Sequence, residues 1–345
     1  FKLADWKPGS YLMVVRNPLY FRSGRPYLEE MIWRFLPDAT TALEGLRKGE
    51  IDLFPDVPPE MAAKAAAVPW IAVYKRPTSV CSQIVFNLWD PKDLTRPHPI
   101  LADLRVRRAL ALAFPRERIV EEALGNTAYP AYTDLPPYFP GYRRDLGPTG
   151  FDPEAAARLL EAAGWLWGPD GYRYKDGKKL RLYLFTVAGN DARIKTAALC
   201  REAWRRIGVE LLPSFLDLAS FSRDCLARRA FDLAMLARET AREQGISSPW
   251  HSQQIPQEGR DGQNYGGYIN REMDGLLEEM SKTADPERRK ELCRRRQELL
   301  AEEVPAVFIS FSARIAAVRE GLKNFRPNPH AGVDLWNVEE WYWAW

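Results

Sequence analysis

The sequence has few residues of the kinds that bind transition metals. It contains 3 His and 4 Cys among 345 residues, and Cys81, Cys200, Cys225 and Cys293 form no CxxC pair. A zinc cluster needs ligands at close, repeated spacing, so this pattern argues against one. We interpret the cysteines as small buried hydrophobic residues. A Cys200–Cys225 disulfide is the alternative if the protein is in an oxidising compartment.

Long hydrophobic runs and a charge excess are also missing. No run of about 18 uncharged apolar residues occurs, so no segment is a candidate membrane-spanning helix. Lys and Arg total 49 against 46 Asp and Glu, a net charge of +3, which argues against a dedicated nucleic-acid-binding protein. With 46% hydrophobic and 28% charged residues, the chain has the composition and length of a two-domain globular protein.

Sequence motifs of enzymes are absent as well. A GxSxG elbow, a Walker A loop, a dinucleotide fingerprint and an HExxH motif do not occur. Acidic residues are plentiful, but spacing alone does not select a catalytic pair. The 12 Trp leave a glycan-active enzyme open as an alternative, although core packing explains most of them better. We expect no catalytic residue, no metal and no cofactor.

Strand and helix signals alternate along the chain. Asp38 precedes a helix that Gly49 ends, and Asp152 precedes a helix that starts at Pro153. Residues 180–236 have a strand–helix–strand–helix–strand pattern, which predicts a sheet with covering helices. Three other segments are predicted as separate strands: Ile71–Tyr74, Ser82–Asn87 and Val307–Phe311.

A basic cluster, Arg294–Arg296, lies in the predicted helix from Pro286 to Glu303. Contact with nucleic acid is one interpretation. The other is a solvated helix face, which the neighbouring Glu291, Glu298, Glu302 and Glu303 favour because they nearly cancel the charge.

Seven stretches, in order, resemble the family 5 extracellular solute-binding proteins, the oligopeptide, dipeptide and nickel receptors of ABC importers. They are the strand ending in Arg16-Asn-Pro-Leu-Tyr20, Ala42–Asp52, Phe86-Asn87 with Asp103–Leu110, Phe151–Trp165, Ile207–Val209, Phe231–Leu233 and Asn264–Asp274. The resemblance implies an α/β, type II periplasmic-binding-protein-like fold with two lobes of mixed sheets flanked by helices.

The resemblance also implies how the lobes divide the chain. Lobe I would contain residues 1–86 and the return segment 309–345, and lobe II would contain residues 87–308. Family members carry a long segment before the equivalent of Phe1. We therefore expect lobe I to be incomplete and this sequence to be an expressed or proteolytic fragment.

The implied function is capture of a small solute between the lobes, without chemical change, for an ABC importer. We expect an extracytoplasmic protein, periplasmic or lipid-anchored, that is a monomer when full length. Its partners would be a small peptide-like or other polar or anionic solute and the importer's membrane subunits, and not nucleic acid.

The ligand-binding residues are expected where the family pattern places the cleft. In peptide-binding relatives the segment after the strand matching Phe231–Leu236 carries a tryptophan and then an aspartate that pairs with the peptide amine. Arg238 replaces that tryptophan and no aspartate follows, so a carboxylate or phosphate would suit this position. Alternatively, Arg238 and Arg242 are surface residues paired with Glu239 and Glu243. The full set of candidates is Arg238, Glu239, Asn87, Asn190, Trp250, Asn264 and Tyr268.

Overall fold

The computed structural model describes residues 1–143, 145–146, 150–240, 245, 247–328 and 334–344. The chain divides into two compact units. Unit 1 comprises Phe1–Thr78 and Ala313–Trp345, and unit 2 comprises Ser79–Ser312. Both contain strands and helices, so the predicted α/β class is confirmed.

The elements alternate as the residue patterns predict. The strands are β1 (Lys2–Lys7), β2 (Tyr11–Val15), β3 (Glu30–Arg34), β4 (Leu53–Phe54), β5 (Ile71–Phe86), β6 (Trp89–Asp90), β7 (Asp93–Pro97), β8 (Ala128–Pro130), β9 (Leu166–Trp167), β10 (Arg173–Lys175), β11 (Lys178–Lys179), β12 (Arg181–Val187), β13 (Glu210–Leu216), β14 (Leu233–Glu239), β15 (Ala306–Arg319), β16 (Leu322–Lys323) and β17 (Tyr342–Trp343). The helices are α1 (Ala39–Lys48), α2 (Ala62–Ala66), α3 (Leu104–Leu112), α4 (Arg116–Arg118), α5 (Pro153–Ala162), α6 (Asp191–Arg206), α7 (Leu218–Ser220), α8 (Arg271–Lys282) and α9 (Pro286–Glu303). The turns Ile119–Ala123 and Phe221–Leu226 continue α4 and α7 as π-helix.

The predicted helix ends are confirmed by their capping bonds. The Asp38 side chain accepts a hydrogen bond from the Thr41 N–H at 2.8 Å, and Asp152 accepts one from Ala155 at 2.7 Å. Gly49 ends α1 in the left-handed conformation, with φ 75°. Each carboxylate satisfies an N–H group that the first turn of a helix leaves without a partner.

Unit 1 contains a three-stranded antiparallel sheet in the order β1-β2-β3. Unit 1 also has a small hydrophobic core, in which α1 and α2 pack against the end of β15 through Leu46, Ala65, Ile315 and Ala317. In this unit β4 pairs with β15 at Phe54 and Ala317.

Unit 2 is built on a mixed sheet in the order β13-β12-β14-β5-β15. Strand β12 runs parallel to β13 and β14, whereas β14 and β5 are antiparallel. Helices α3, α5 and α6 share one apolar core with β12, in which Trp204 is fully buried and donates from its indole N–H to the Leu110 carbonyl at 3.0 Å. The predicted sheet with covering helices is therefore confirmed.

The prediction of two short strands at Ile71–Tyr74 and Ser82–Asn87 is wrong, because β5 is one strand of 16 residues. Polar residues and Pro77 interrupt the apolar pattern, and that interruption indicates a break. Pairing with strand β14 keeps the backbone of this segment extended instead. Val80 pairs with Glu239, and the Thr240 N–H donates to the Ser79 carbonyl at 2.9 Å.

Strands β5 and β15 carry the chain from one unit to the other, between Thr78 and Ser79 and between Ser312 and Ala313. Strand β15 is longer than the predicted Val307–Phe311 because its second part pairs with β4 in unit 1. The predicted lobe boundaries at residues 86/87 and 308/309 fall within or at the end of these strands. The assignment of lobes stays a prediction.

The interpretation of Arg294–Arg296 as a solvated face is wrong for Arg296. This side chain is fully buried and pairs with buried Asp134 at 3.0 Å. Arg295 is partly exposed and pairs with Glu272, Glu298 and Glu302. The sequence pattern shows that acids lie near the arginines, but only the fold decides which arginine turns inward.

We predict that Asp134→Ala lowers the free energy of unfolding by about 3–5 kcal/mol, because it leaves the buried Arg296 guanidinium without its carboxylate. It also removes the acceptor of the Trp250 indole N–H. Urea unfolding followed by tryptophan fluorescence measures the change. The control Arg295→Ala breaks exposed pairs and should cost less than about 1 kcal/mol; equal losses in the two variants would contradict the buried pair.

All four cysteines are buried and free, and no Cys200–Cys225 disulfide forms. Burial raises the pKa of Cys225 to about 12, and it raises the pKa of Cys81, Cys200 and Cys293 as well. The thiols therefore stay protonated and covered, and the interpretation as small buried hydrophobic residues is confirmed.

We predict that iodoacetamide at pH 8 modifies none of the four thiols in the folded protein, since only an accessible thiolate reacts. In denaturant without reductant all four should react. Intact-mass measurement counts the adducts. Two unreactive cysteines in the denatured protein would reveal a disulfide and contradict this assignment.

Candidate functional site

The carboxyl ends of two parallel strands, β12 and β14, lie at one edge of the unit 2 sheet. These strands pair at Leu184–Leu233 and Phe185–Ala234, and α6 begins shortly after β12 ends. In open α/β sheets, ligands bind outside the carboxyl ends of the strands. This edge is therefore where a solute site is expected in unit 2.

An open cavity of about 530 Å³ lies at this edge, and we call it the sheet-edge cavity. Its volume falls within the roughly 300–1,000 Å³ of small-molecule sites. A backbone loop, two arginines and several apolar side chains form its wall. The lining residues are Val187, Ala188, Gly189, Asn190, Arg193, Leu218, Phe221, Ser222, Leu226, Leu236, Ala237, Arg238, Gln263 and Tyr265.

Arg193 lies in the first turn of α6 and is partly buried. Its backbone N–H donates to the Asn190 side chain at 3.0 Å. Within the described part of the chain, its guanidinium group has no hydrogen bond and no ion pair. Burial lowers the pKa of Arg193 from its usual value, but an arginine stays charged at neutral pH. Among the described residues, a cation without a carboxylate partner therefore lines the cavity.

Arg238 lies near the end of β14 and is buried to 9% exposure. Its guanidinium donates to the Gln263 carbonyl at 3.2 Å. The same group lies 5.6 Å from the ring centre of Tyr265 and 6.0 Å from that of Trp250. Such positions are stabilised by the ring quadrupole. The aromatic contacts hold this second cation at the cavity wall.

Two further candidates lie near Arg238 and Arg193. Asn190 lines the cavity and also caps α6, so its side chain has a structural role in addition to the predicted one. Glu239 is exposed and accepts a hydrogen bond from the Ser79 hydroxyl at 2.9 Å. Arg242 and Glu243, the other residues of the proposed surface pairing, lie outside the described residues.

Asn87 is fully buried at the end of β5. Its amide donates to the carbonyls of Arg229 and Phe231, both at 2.9 Å, and its oxygen accepts from the Trp89 N–H at 3.2 Å. These bonds fix the chain where it leaves the sheet.

Trp250, Asn264 and Tyr268 belong to the core of unit 2, and each is at most 3% exposed. Trp250 packs edge-on against Tyr268 and donates to Asp134 at 2.9 Å. Asn264 donates to the carbonyls of Tyr268 and His251 and accepts from the Tyr268 N–H. The Asn264 amide thus organises the loop before α8.

Of the seven predicted residues, the structure brings Asn190 and Arg238 to one cavity. The other five occupy the positions described above, and their role in ligand binding stays a prediction. Sequence reasoning missed Arg193, Phe221 and Tyr265. Arg193 carried one detectable signal, because it follows an N-cap asparagine by three residues and so had to lie in a helix's first turn.

The described residues contain neither a candidate membrane-spanning helix nor a candidate metal cluster. No helix there is both long and apolar enough to cross a membrane. No group of three or more His, Cys, Asp or Glu side chains in those residues could hold a metal ion.

The family model of the bacterial extracellular solute-binding proteins, family 5 Middle, matches residues 1–251. The chain belongs to this family. Members of this family are bacterial extracellular solute-binding proteins. The resemblance drawn from the seven sequence stretches is confirmed.

Family 5 relatives are similar over the whole chain. The oligopeptide-binding protein AppA of Bacillus subtilis is 28% identical, with 100% of this chain and 61% of AppA aligned. The glutathione-binding protein GsiB of Salmonella typhimurium is 24% identical, with 97% and 62% covered. The chain therefore spans about three fifths of the length of these relatives.

Solved structures of the family share the fold. AppA of B. subtilis in complex with a nonapeptide superposes with a TM-score of 0.66 at 27% identity, covering 100% of this chain and 66% of AppA. HbpA2 of Haemophilus parasuis superposes with a TM-score of 0.83 at 20% identity, covering 99% and 63%. The predicted type II periplasmic-binding-protein fold is confirmed.

We predict that Asn264→Ala lowers the free energy of unfolding by about 1–3 kcal/mol, because buried backbone groups of Tyr268 and His251 lose their partner. Urea unfolding measures this change. Ile269→Ala is the control, since Ile269 is exposed and its truncation should change stability by at most about 0.5 kcal/mol. A loss no larger than the control's would contradict the structural role of this amide.

Proposed function

We propose that this chain is part of the substrate-binding component of an ABC importer, and that it captures a small solute in the sheet-edge cavity. Family membership supports the class of protein. The single observation that carries the proposal is the cavity itself, which combines the expected sheet edge, a suitable volume and the two arginines, Arg193 and Arg238. Most characterised ligand pockets combine an apolar wall with a few such polar groups.

We propose that the solute leaves the protein chemically unchanged. A glycan-hydrolysing enzyme, the alternative, needs two carboxyl groups facing one cleft. The described residues lining the sheet-edge cavity include neither Asp nor Glu. This lining supports binding without catalysis.

The proposal also covers where the protein is located and which partners it has. The family's extracellular character supports an extracytoplasmic protein. We also propose that the protein is a monomer when full length and that it presents its solute to the importer's membrane subunits. Arg295 pairs with three glutamates and Arg296 is buried, so Arg294 is the one exposed arginine of the Arg294–Arg296 cluster, which argues against a nucleic-acid site there. Closure of two lobes on the solute stays a prediction.

A ligand screen tests the proposal. We expect at least one member of a panel of short peptides, glutathione, organic acids, sugars and metal chelates to raise the unfolding temperature. At 100 times its dissociation constant a ligand stabilises by about 2.7 kcal/mol. Mass spectrometry of the recovered solute should show no product. Conversion of the solute, or no stabilisation by any member of the panel, would contradict the proposal.

A blocking variant locates the site. Ala237 is exposed at the cavity wall, and Ala237→Trp should abolish binding of any solute found by the screen while leaving the unliganded protein's stability unchanged. Ala198→Trp, an exposed position on α6, is the matched control and should keep full affinity. Undiminished binding to the Ala237 variant would exclude the sheet-edge cavity as the site.

A further inference from the structure

We propose that the solute of the sheet-edge cavity is a small organic anion, with a carboxylate or similar oxyanion bound by Arg193 and an apolar body against the apolar side chains of the wall. This inference rests on the proposed function and names its substrate class. Three observations on the described residues carry it: Arg193 has no charge partner among them, none of those lining the cavity is acidic, and the rest of the wall that they form is apolar.

The first observation is the contrast between Arg193, which is partly buried, and the buried arginines of unit 2. Arg107 donates to the carbonyls of Leu101 and Glu303, and Arg116 donates to the carbonyl of Phe308. Burying a charge is costly unless it is paired or hydrogen-bonded, and these arginines satisfy that rule within the protein. Arg193 is partly buried and has no such partner among the described residues, so its guanidinium donors are available to a ligand that replaces water in the cavity.

The second observation is that no carboxylate lines the cavity among the described residues, and that two carboxylates beside it accept hydrogen bonds from other groups. Asp217 caps the next short helix by accepting from the Ser220 N–H at 2.9 Å. Glu239 accepts from Ser79. No described lining residue supplies a negative charge, while Arg238 adds a second positive one. The amino-terminal end of α6, a helix of 16 residues, adds partial positive charge at the same edge.

The third observation is the rest of the wall. Leu218, Phe221, Leu226 and Leu236 line the cavity, with Val187 at the end of β12. Phe221 and Leu236 are buried, whereas Leu218 is largely exposed. A ligand that filled the cavity would bury apolar area against these side chains, which favours binding in proportion to that area. A bare inorganic anion would leave this wall uncovered.

Together, the wall and the arginines select an acid with an apolar group. A guanidinium binds carboxylate or phosphate through two parallel hydrogen bonds, so either oxyanion meets the charge requirement. The cavity volume of about 530 Å³ suits a compact molecule. The corresponding neutral amide would keep the apolar contacts and lose the charge-assisted bonds.

Matched acid and amide probes test the inference by isothermal titration calorimetry. The probes are N-acetyl-leucyl-leucine, octanoate and 4-phenylbutyrate, each with its amide, and monobutyl phosphate as the second oxyanion. We expect at least one acid to bind about 10- to 100-fold more tightly than its amide, the ratio typical of hydrogen bonds to charged groups. Tighter binding of the phosphate than of every carboxylate would identify the oxyanion as a phosphate and keep the anionic class.

Variants assign the effect to Arg193. Arg193→Gln should lower the affinity for the acid by about 10- to 100-fold and leave that for the amide unchanged, and Arg193→Lys should restore part of the loss because the charge remains. Arg201→Gln is the control, since it removes the same charge from an exposed position on α6 and should leave both affinities unchanged. Thermal unfolding of each unliganded variant verifies that it folds.

Three results would overturn the inference: amides that bind as tightly as their acids, an Arg193→Gln variant with full affinity for the acid, or no binding of any acid. Failure of this inference can be distinguished from failure of the proposed function. If another class of solute in the ligand screen binds and Ala237→Trp blocks it, the proposed function stands and only the anionic class is wrong.

Discussion

The cost of burying a positive charge constrains both the packing of unit 2 and its proposed site. A guanidinium group carries five N–H donors and never loses its charge at physiological pH, so each buried arginine needs acceptors around it. Asp134 accepts a hydrogen bond from an Nη atom of Arg296, and backbone carbonyls at the end of α9 accept from Arg107. Arg193 is only partly buried and has no acceptor among the described residues, so its donors are available to a solute in the cavity.

The cavity follows from the topology of the unit 2 sheet. Strand β12 runs parallel to both of its neighbours, so their carboxyl ends and the helix starts that follow lie at the same edge. The chain turns there into α6, whose first helical residues present Arg193 and whose cap is Asn190. The loops at such an edge can vary without disturbing the strands, because the core is formed elsewhere along them. Relatives that bind different solutes can therefore share this fold.

Several of the polar and aromatic residues that are predicted to touch a ligand also organise loops or pack in the core. Asn87 and Asn264 satisfy backbone groups where the chain leaves regular structure, and Trp250 completes the core beside Tyr268. A buried loop needs such partners because its carbonyl and amide groups are shielded from water. Position in a family pattern does not separate this role from contact with a solute, since both occur at loop ends.

The resemblance of seven sequence stretches indicated the family and marked Arg238 as an unusual residue. Local rules in the sequence determined the α/β class and the helix ends at Asp38, Gly49 and Asp152, because capping and hydrophobic periodicity act over a few residues. Only the tertiary structure decided that β5 is continuous, that Arg296 is buried beside Asp134, and that Arg193 and Arg238 share a cavity. Strand extension, burial and the meeting of distant side chains depend on which segments become neighbours, and that choice is made by the packing of the whole unit.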